Sequence, residues 1–311
     1  MSNPISGPVR SWLPAYLTLA AIWGSSFYFI KLGLESLTPA GVAFGRIVLG
    51  LLTLLVFSAA TKTKLAPRSV WKPLFLAALL SATLPWLAFA FSETRISSAL
   101  AGIISGATPL VTLIATLLVF AEERPTPRRM VGLGIGFIGV LTVVGIWQGL
   151  GADTWIGITA CVVAIICYGS TYPYMRRHLT GGPNASTLSP LALATGLLIM
   201  ATIQITPIAV VTGFTVSSIG APTVFGMLAL GCLGSGVAYV LNFRVINKSD
   251  ATTASTVTYL TPLVAIIAGA LFLAEPISWN QPIGGLLILV GAAVAQGLNR
   301  PRDKTAAKRT K

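Results

Sequence analysis

Charge is what this sequence has least of. Only 9% of its 311 residues are charged, against about 25% in a typical soluble domain, so it cannot cover a water-facing surface. Acidic side chains are the scarcest, eight against 21 Lys and Arg. Asp153, Asp250 and Asp303 all fall at span ends or in the tail, which excludes a paired intramembrane aspartate site. The one histidine, His178, sits among Arg176, Arg177 and Thr180, at the wrong depth to act as base for a membrane nucleophile. No Gly-rich loop ending in Lys and Ser/Thr is present, which excludes an ATP-driven pump within this chain. The three cysteines, Cys161, Cys167 and Cys232, lie in apolar stretches. Cys161 and Cys167 stand six apart on one predicted helix, out of bridging reach, so neither a disulfide framework nor a metal site is expected. Gly234-Ser235-Gly236 lacks the strand–turn–helix setting of a nucleophile elbow and reads as close helix packing through small residues. These absences argue against an enzyme and against any cofactor.

What is present is apolar length. Hydrophobic residues make up 54% of the chain and mean hydropathy is +0.83. A membrane span needs about 20 apolar residues, and ten such segments can be marked: 12–31, 40–60, 71–92, 98–120, 130–148, 154–175, 187–211, 222–243, 252–273 and 282–299. The first lacks a small-residue cleavage site and reads as a retained span. The runs are continuously apolar, unlike barrel strands. The predicted fold is therefore all-α and integral to the membrane, with ten transmembrane helices and short linkers.

With the amino terminus placed in the cytoplasm, eighteen of the 21 Lys and Arg fall on the cytoplasmic side, and only Lys31 and Arg95 on the other. The positive-inside rule then puts both termini in the cytoplasm of a multi-pass inner-membrane protein. The basic excess suits loops and lipid headgroups, not nucleic acid.

The sequence also repeats itself. Thr108-Pro109-Leu110-Val111 and Ala121-Glu122 return as Thr261-Pro262-Leu263-Val264 and Ala274-Glu275, both shifted by 153 residues. Trp23-Gly24-Ser25-Ser26 returns as Tyr168-Gly169-Ser170-Thr171, shifted by 145. Five spans per half is an odd number, so the halves must enter the membrane from opposite sides. The expected organisation is two inverted five-helix repeats, residues 1–151 and 152–299, with a basic tail at 300–311. That architecture belongs to secondary transporters, whose substrate sites lie near the midplane between repeats.

Polar and aromatic residues concentrate on particular spans. Candidates for a substrate cavity are Trp23, Ser25 and Tyr28 in the first, Trp86 and Phe89 in the third, and Tyr168 and Tyr172 in the sixth. Tyr239 and Asn242 in the eighth, and Thr258 and Tyr259 in the ninth, complete the set. Spans 2, 5, 7 and 10 are mainly aliphatic and read as lipid-facing. Arg46 is the one charge inside a span. It either snorkels to the outer interface or pairs with Glu35, or it stands at the rim of the cavity and attracts a carboxylate. Pro109 and Pro262 occupy matching positions in the repeat and are candidate hinges, or else static bends. Glu93, near the outer end of the third span, is the one candidate for a proton relay.

Trp23-Gly24-Ser25-Ser26, Phe44-Gly45-Arg46 and the paired Thr-Pro…Glu blocks resemble the drug/metabolite transporter superfamily in its EamA-type ten-helix branch, over about residues 15–298. Within that branch the chain looks most like the YddG-type exporters of aromatic and other amino acids. The resemblance implies a bacterial inner-membrane exporter. Aromatic walls with neutral hydrogen-bonders suit a zwitterionic amino acid, since aromatic faces attract an ammonium by about 0.5–2 kcal/mol. The expected partners are a small-molecule substrate and membrane lipids, with no obligatory protein partner. The alternatives are a broad-specificity drug or metabolite efflux carrier and a channel-like facilitator, although no charged ring marks a channel.

Overall fold

The computed structural model describes residues 13–118, 126–180, 189–242, 257 and 260–296. Among these residues the chain is helical, with no β-strand beyond one isolated bridge between Leu37 and Thr215. In chain order the helices are α1 (Leu13–Leu34), α2 (Pro39–Ala60) and α3 (Arg68–Ser92), then α4 in two pieces (Ser98–Ser105 and Thr108–Leu118) and α5 (Pro127–Val144). They continue as α6 (Ala152–Met175, prolonged by a π turn over Arg176–Thr180), α7 (Pro190–Thr212), α8 (Ala221–Asn242), α9 (Thr261–Phe272) and α10 (Asn280–Gln296). Helices α1 to α8 are long and apolar enough to cross a membrane, whereas α9 and α10 are shorter. The expected start of the ninth span, 252–260, lies largely outside the described residues, as do the 300–311 tail and Glu122.

Local sequence sets where the helices begin. Thr38-Pro39, Thr126-Pro127 and Ser189-Pro190 each place a hydroxyl before a proline. The hydroxyl accepts a bond from a first-turn backbone N–H, at 2.9 Å for Gly41, 3.4 Å for Arg129 and 3.1 Å for Ala192. The proline stands where its missing N–H leaves nothing unsatisfied.

The helices pack in related pairs. The contacts are α2–α8 and α3–α7, α3–α6 and α1–α8, α4–α6 and α1–α9, with α2–α7, α4–α9 and α5–α10 besides. Exchanging α1–α5 with α6–α10 turns each of the first three pairs into its fellow and leaves the last three contacts unchanged. Helices α5 and α10 meet most closely, backbone against backbone. A methyl on Gly132 would come 2.5 Å from the Ala295 nitrogen, one on Gly139 2.7 Å from the Ile288 nitrogen, and one on Gly284 2.5 Å from the Val143 nitrogen. Their far faces, with Phe137 at 63% and Leu286 at 62% exposure, are apolar and suit lipid.

Two helices depart from α geometry. In α3 a π turn spans Leu79–Thr83, directly before Pro85. Proline clashes with the carbonyl four residues back and cannot donate to it; widening the turn accommodates both faults. Gln204 of α7 braces this region, donating to the Phe75 carbonyl at 2.7 Å and accepting from Thr83 at 2.6 Å. Helix α8, which occupies the place of α3 in the second half, carries a longer π segment, Ala229–Val237, with Gly231, Gly234 and Gly236 inside it. Such bulges reorient side chains and recur at functional sites.

Candidate functional site

The two π segments deliver side chains to one buried charge. Arg46 lies on α2, 8% exposed. Its guanidinium sits 4.0 Å over the Trp86 ring, and its Nε donates to the Ser235 hydroxyl at 3.2 Å. Trp86 follows the π turn of α3 and Ser235 lies within that of α8. The Trp86 indole N–H donates to the Tyr168 hydroxyl of α6 at 2.7 Å. Phe89 continues the aromatic wall, 6.0 Å from Tyr168 and edge-on to Phe27 at 5.4 Å. The array thus draws on α2 and α3 from the first half and on α6 and α8 from the second.

Arg46 is held electrostatically as well as sterically. Tyr168, Tyr239 and Glu93 all lie within reach of its charge. Its two terminal nitrogens have no hydrogen-bond partner among the described residues, so the planar face is fixed by Trp86 while the fork is free for an acceptor. Glu35 is exposed and does not pair with it, and the burial is unlike that of a side chain reaching for the interface. Helix α2 therefore carries the central cation despite its aliphatic composition.

The other candidates divide. Arg46, Trp86, Phe89 and Tyr168 come together, with Tyr239 close by. Trp23 is half-buried against Leu19, Ala20, Ala238 and Val257. The Ser25 hydroxyl bonds to its own helix, at 2.8 Å from the Ala21 carbonyl. Tyr28 lies tilted against Phe272 at 5.3 Å, itself 67% exposed, and so sits toward the rim of the bundle. Asn242 is half-buried at the end of α8. Tyr172 lies on α6 with its side chain outside the description, and Thr258 and Tyr259 lie outside the described residues. Pro109 is the second residue of the second piece of α4, after the break at Gly106-Ala107, and Pro262 is the second residue of α9. The breaks adjoin, since a methyl on Gly106 would stand 2.6 Å from Pro262 Cγ.

Sequence reasoning missed Ser235, reading it as packing alone. Gly236 does pack closely, with a methyl there 2.5 Å from Thr53 Cβ, but the serine between the glycines points at the arginine. Reading Gly234-Ser235-Gly236 as the counterpart of the Pro85 region would have marked it.

A second set of charges clasps the turn between α3 and α4. The Lys31 ammonium of α1 donates to the backbone carbonyls of Glu93 and of Ile96, the latter at 3.0 Å. Glu275, just after α9, accepts from the backbone N–H groups of Ser98 and Ala99 at 2.8 and 2.9 Å and from the Ser98 hydroxyl at 3.1 Å. Its carboxylate thereby caps the first turn of α4 from another helix, the favourable end for a negative charge. Ala274, at φ 50°, turns the chain to bring Glu275 there. The Ala-Glu pair, found as a repeat in the sequence, is a turn and a cap.

Among the described residues Arg46 is the one buried cation, and it lies where helices of the two halves meet in an apolar bundle, an arrangement that suits a membrane transporter. The EamA-like transporter family matches the chain twice, over residues 10–145 and 155–296, and the chain belongs to that family. An uncharacterized transporter of Archaeoglobus fulgidus is 29% identical over 87% of this chain and 92% of its own length. The uncharacterized inner membrane transporter YedA of Escherichia coli K12 is 27% identical over 84% and 83%. Protein PagO of Salmonella typhimurium is 24% identical over 94% and 97%. A solved crystal structure superposes with a TM-score of 0.65 at 18% identity, covering 94% of this chain and 99% of that one, which is a likeness of fold.

Proposed function

We propose that the chain is a secondary transporter that exports zwitterionic amino acids, aromatic or bulky neutral ones above all, across a bacterial inner membrane. In this reading ten transmembrane helices form two inverted five-helix repeats, 1–151 and 152–299, with both termini cytoplasmic. The exchange symmetry of the helix contacts and the double family match support that arrangement, and the name of the YedA relative supports the location. The observation that carries the substrate class is Arg46 stacked on Trp86, with its terminal nitrogens unpaired, between the halves. A guanidinium fork takes a carboxylate in two parallel bonds. The aromatic faces of Trp86, Phe89 and Tyr168 take an apolar ring and attract an ammonium. A single arginine matches one carboxylate, whereas a sugar nucleotide with several charges would leave most of them buried and unpaired. Pro109 and Pro262, at adjoining helix breaks, are the hinges on which the halves would rock.

Counterflow in proteoliposomes tests the reading. Internal phenylalanine, tryptophan, methionine or threonine should accelerate uptake of its labelled form, with no acceleration by a sugar nucleotide. Acceleration by the sugar nucleotide alone rejects the substrate class. Arg46→Ala should weaken amino-acid affinity; unchanged affinity removes the carboxylate role from Arg46 and leaves the substrate class standing.

A further inference from the structure

The clasp encloses a carboxyl group that nothing holds. Glu93 is the first residue after α3, 1% exposed, and neither of its carboxyl oxygens has a hydrogen-bond partner among the described residues. The backbone around it is tied, and the buried Arg95 Nε is the other side-chain atom of the turn without a partner among the described residues. Lys31 holds the Glu93 and Ile96 carbonyls, Glu275 caps Ser98 and Ala99, and the Ser92 hydroxyl lies 3.0 Å from the Cys161 sulfur. An ionised carboxylate in such a place has lost its water and gained no donor, which is among the most costly burials a protein can make.

The charges that face it are few. Lys31 from α1 and Arg46 from α2 would favour a negative charge, and Glu275, beyond α9, would oppose it. The Cys161 thiol from α6 is beside it, and Arg95, two residues on, turns its guanidinium to the Phe91 carbonyl, the Thr94 hydroxyl and the Phe91 ring. Lys31 directs its ammonium to backbone carbonyls and forms no ion pair with the carboxylate. The nearby charges partly offset one another, so enclosure without a donor decides the state of the group.

We propose that the Glu93 carboxyl is a proton-binding site, loaded from the aqueous phase at the α3–α4 end of the bundle, and that this end closes only over the loaded, neutral form. Closing follows formation of an O–H bond at the carboxyl, the proton coming from water on that side. Opening restores water to the group, the O–H bond breaks, the proton returns to that water, and Lys31 is left as the counter-charge. The positive-inside count assigns this end to the outside. The gating half rests on the carrier reading above; the proton site itself does not. Acid on that side should hold the end shut and alkali should release it.

Two measurements on the full-length protein in lipid bilayers test this without a transport assay. Infrared spectra with ¹³C-labelled glutamate should show the carbonyl stretch of a protonated carboxylic acid at neutral pH, shifted by the label and absent from Glu93→Gln. Glu275→Gln should leave it, because the band is assigned to Glu93. A spectrum holding carboxylate bands alone overturns the site, and since the wild type suffices, a misfolded variant does not protect the proposal. The second readout is the rate at which a small maleimide labels Cys161, with Cys167 and Cys232 replaced by alanine. Compared at each pH with the same background carrying Glu93→Gln, the ratio cancels the ionisation of the thiol. It should climb by up to tenfold per pH unit, the slope of a one-proton step, when the α3–α4 side alone is made alkaline. A flat ratio overturns the gate. Failure of the carrier reading shows separately, as no counterflow with any amino acid while the infrared band persists.

Discussion

The seam between α5 and α10 and the seam around Arg46 both join the two halves, yet they are built oppositely. The first is glycine on backbone along its length, tied at its two ends by Arg128 Nε donating to the Val294 carbonyl at 2.9 Å and by the Asn280 amide donating to the Thr142 and Val143 carbonyls at 3.1 and 3.0 Å. A methyl added at Gly132, Gly139, Gly284 or Gly291 would meet backbone of the other helix. The second is a cation on an indole, two hydroxyls and two stretches of widened helix. Its hydrogen bonds can be exchanged for others, and its π turns can shift register. The carrier proposed above, whose halves would move against each other, needs one joint that cannot rearrange and one that can.

That contrast can be broken from either side. The largest effect is expected from Gly291→Leu, which drives a side chain into the α5 backbone. Overpacking of this kind costs about 3 kcal/mol, and the loss should appear in thermal melting and folded yield, with counterflow per folded molecule near that of the wild type. Trp86→Leu should behave the other way. Without the ring beneath it Arg46 loses about 2 kcal/mol of attraction, a rise of about thirtyfold in the half-saturating concentration of an aromatic amino acid, with a smaller fall in melting temperature than Gly291→Leu. If both variants lose stability and transport in step, the two seams do not differ in role. Tyr168→Phe removes the hydroxyl that accepts the Trp86 N–H, about 1 kcal/mol, and should raise the half-saturating concentration about fivefold. Smallest is Ala274→Gly. It relieves a left-handed residue that favours glycine, by about 0.5 kcal/mol, and should raise the melting temperature by about 1 °C.

Most of the architecture could be read from the sequence because lipid makes demands that composition records. Runs of aliphatic residues mark spans, and hydroxyl-proline pairs such as Ser189-Pro190 mark helix starts. Arg46 stood out for the same reason, as an expensive charge in an apolar run, and Trp86 and Tyr168 as aromatics among aliphatics. What held Arg46 could not be read. Ser235 is 189 residues away, and its role depends on a π segment that glycine permits without announcing. Tyr28 looked equivalent to Trp86 by composition, but the helix turns it toward Phe272. The clasp was hidden for another reason. Lys31 and Glu275 bind backbone atoms, and a backbone carbonyl or N–H carries no residue signature. Sequence could show that the Ala274-Glu275 pair repeats, and only the fold shows which helix end it reaches.

The glycine seam bears on how the chain could be divided. Helix α5 ends at Gly145, φ 65°, and α6 begins at Ala152. Between them Gly149 and Gly151 have, chain neighbours aside, no other described residue within 4 Å of where a side chain would start. The link between the halves thus has open space at both glycines, with Leu150 between them packed on the core, while the helices that flank it or end the second half, α5 and α10, are fitted closely to each other. Covalent continuity there contributes little that the seam does not already provide. Two polypeptides, cut between Gly149 and Gly151 and made together in one cell, should therefore pair through this seam, and co-purification of the two fragments from the membrane checks it.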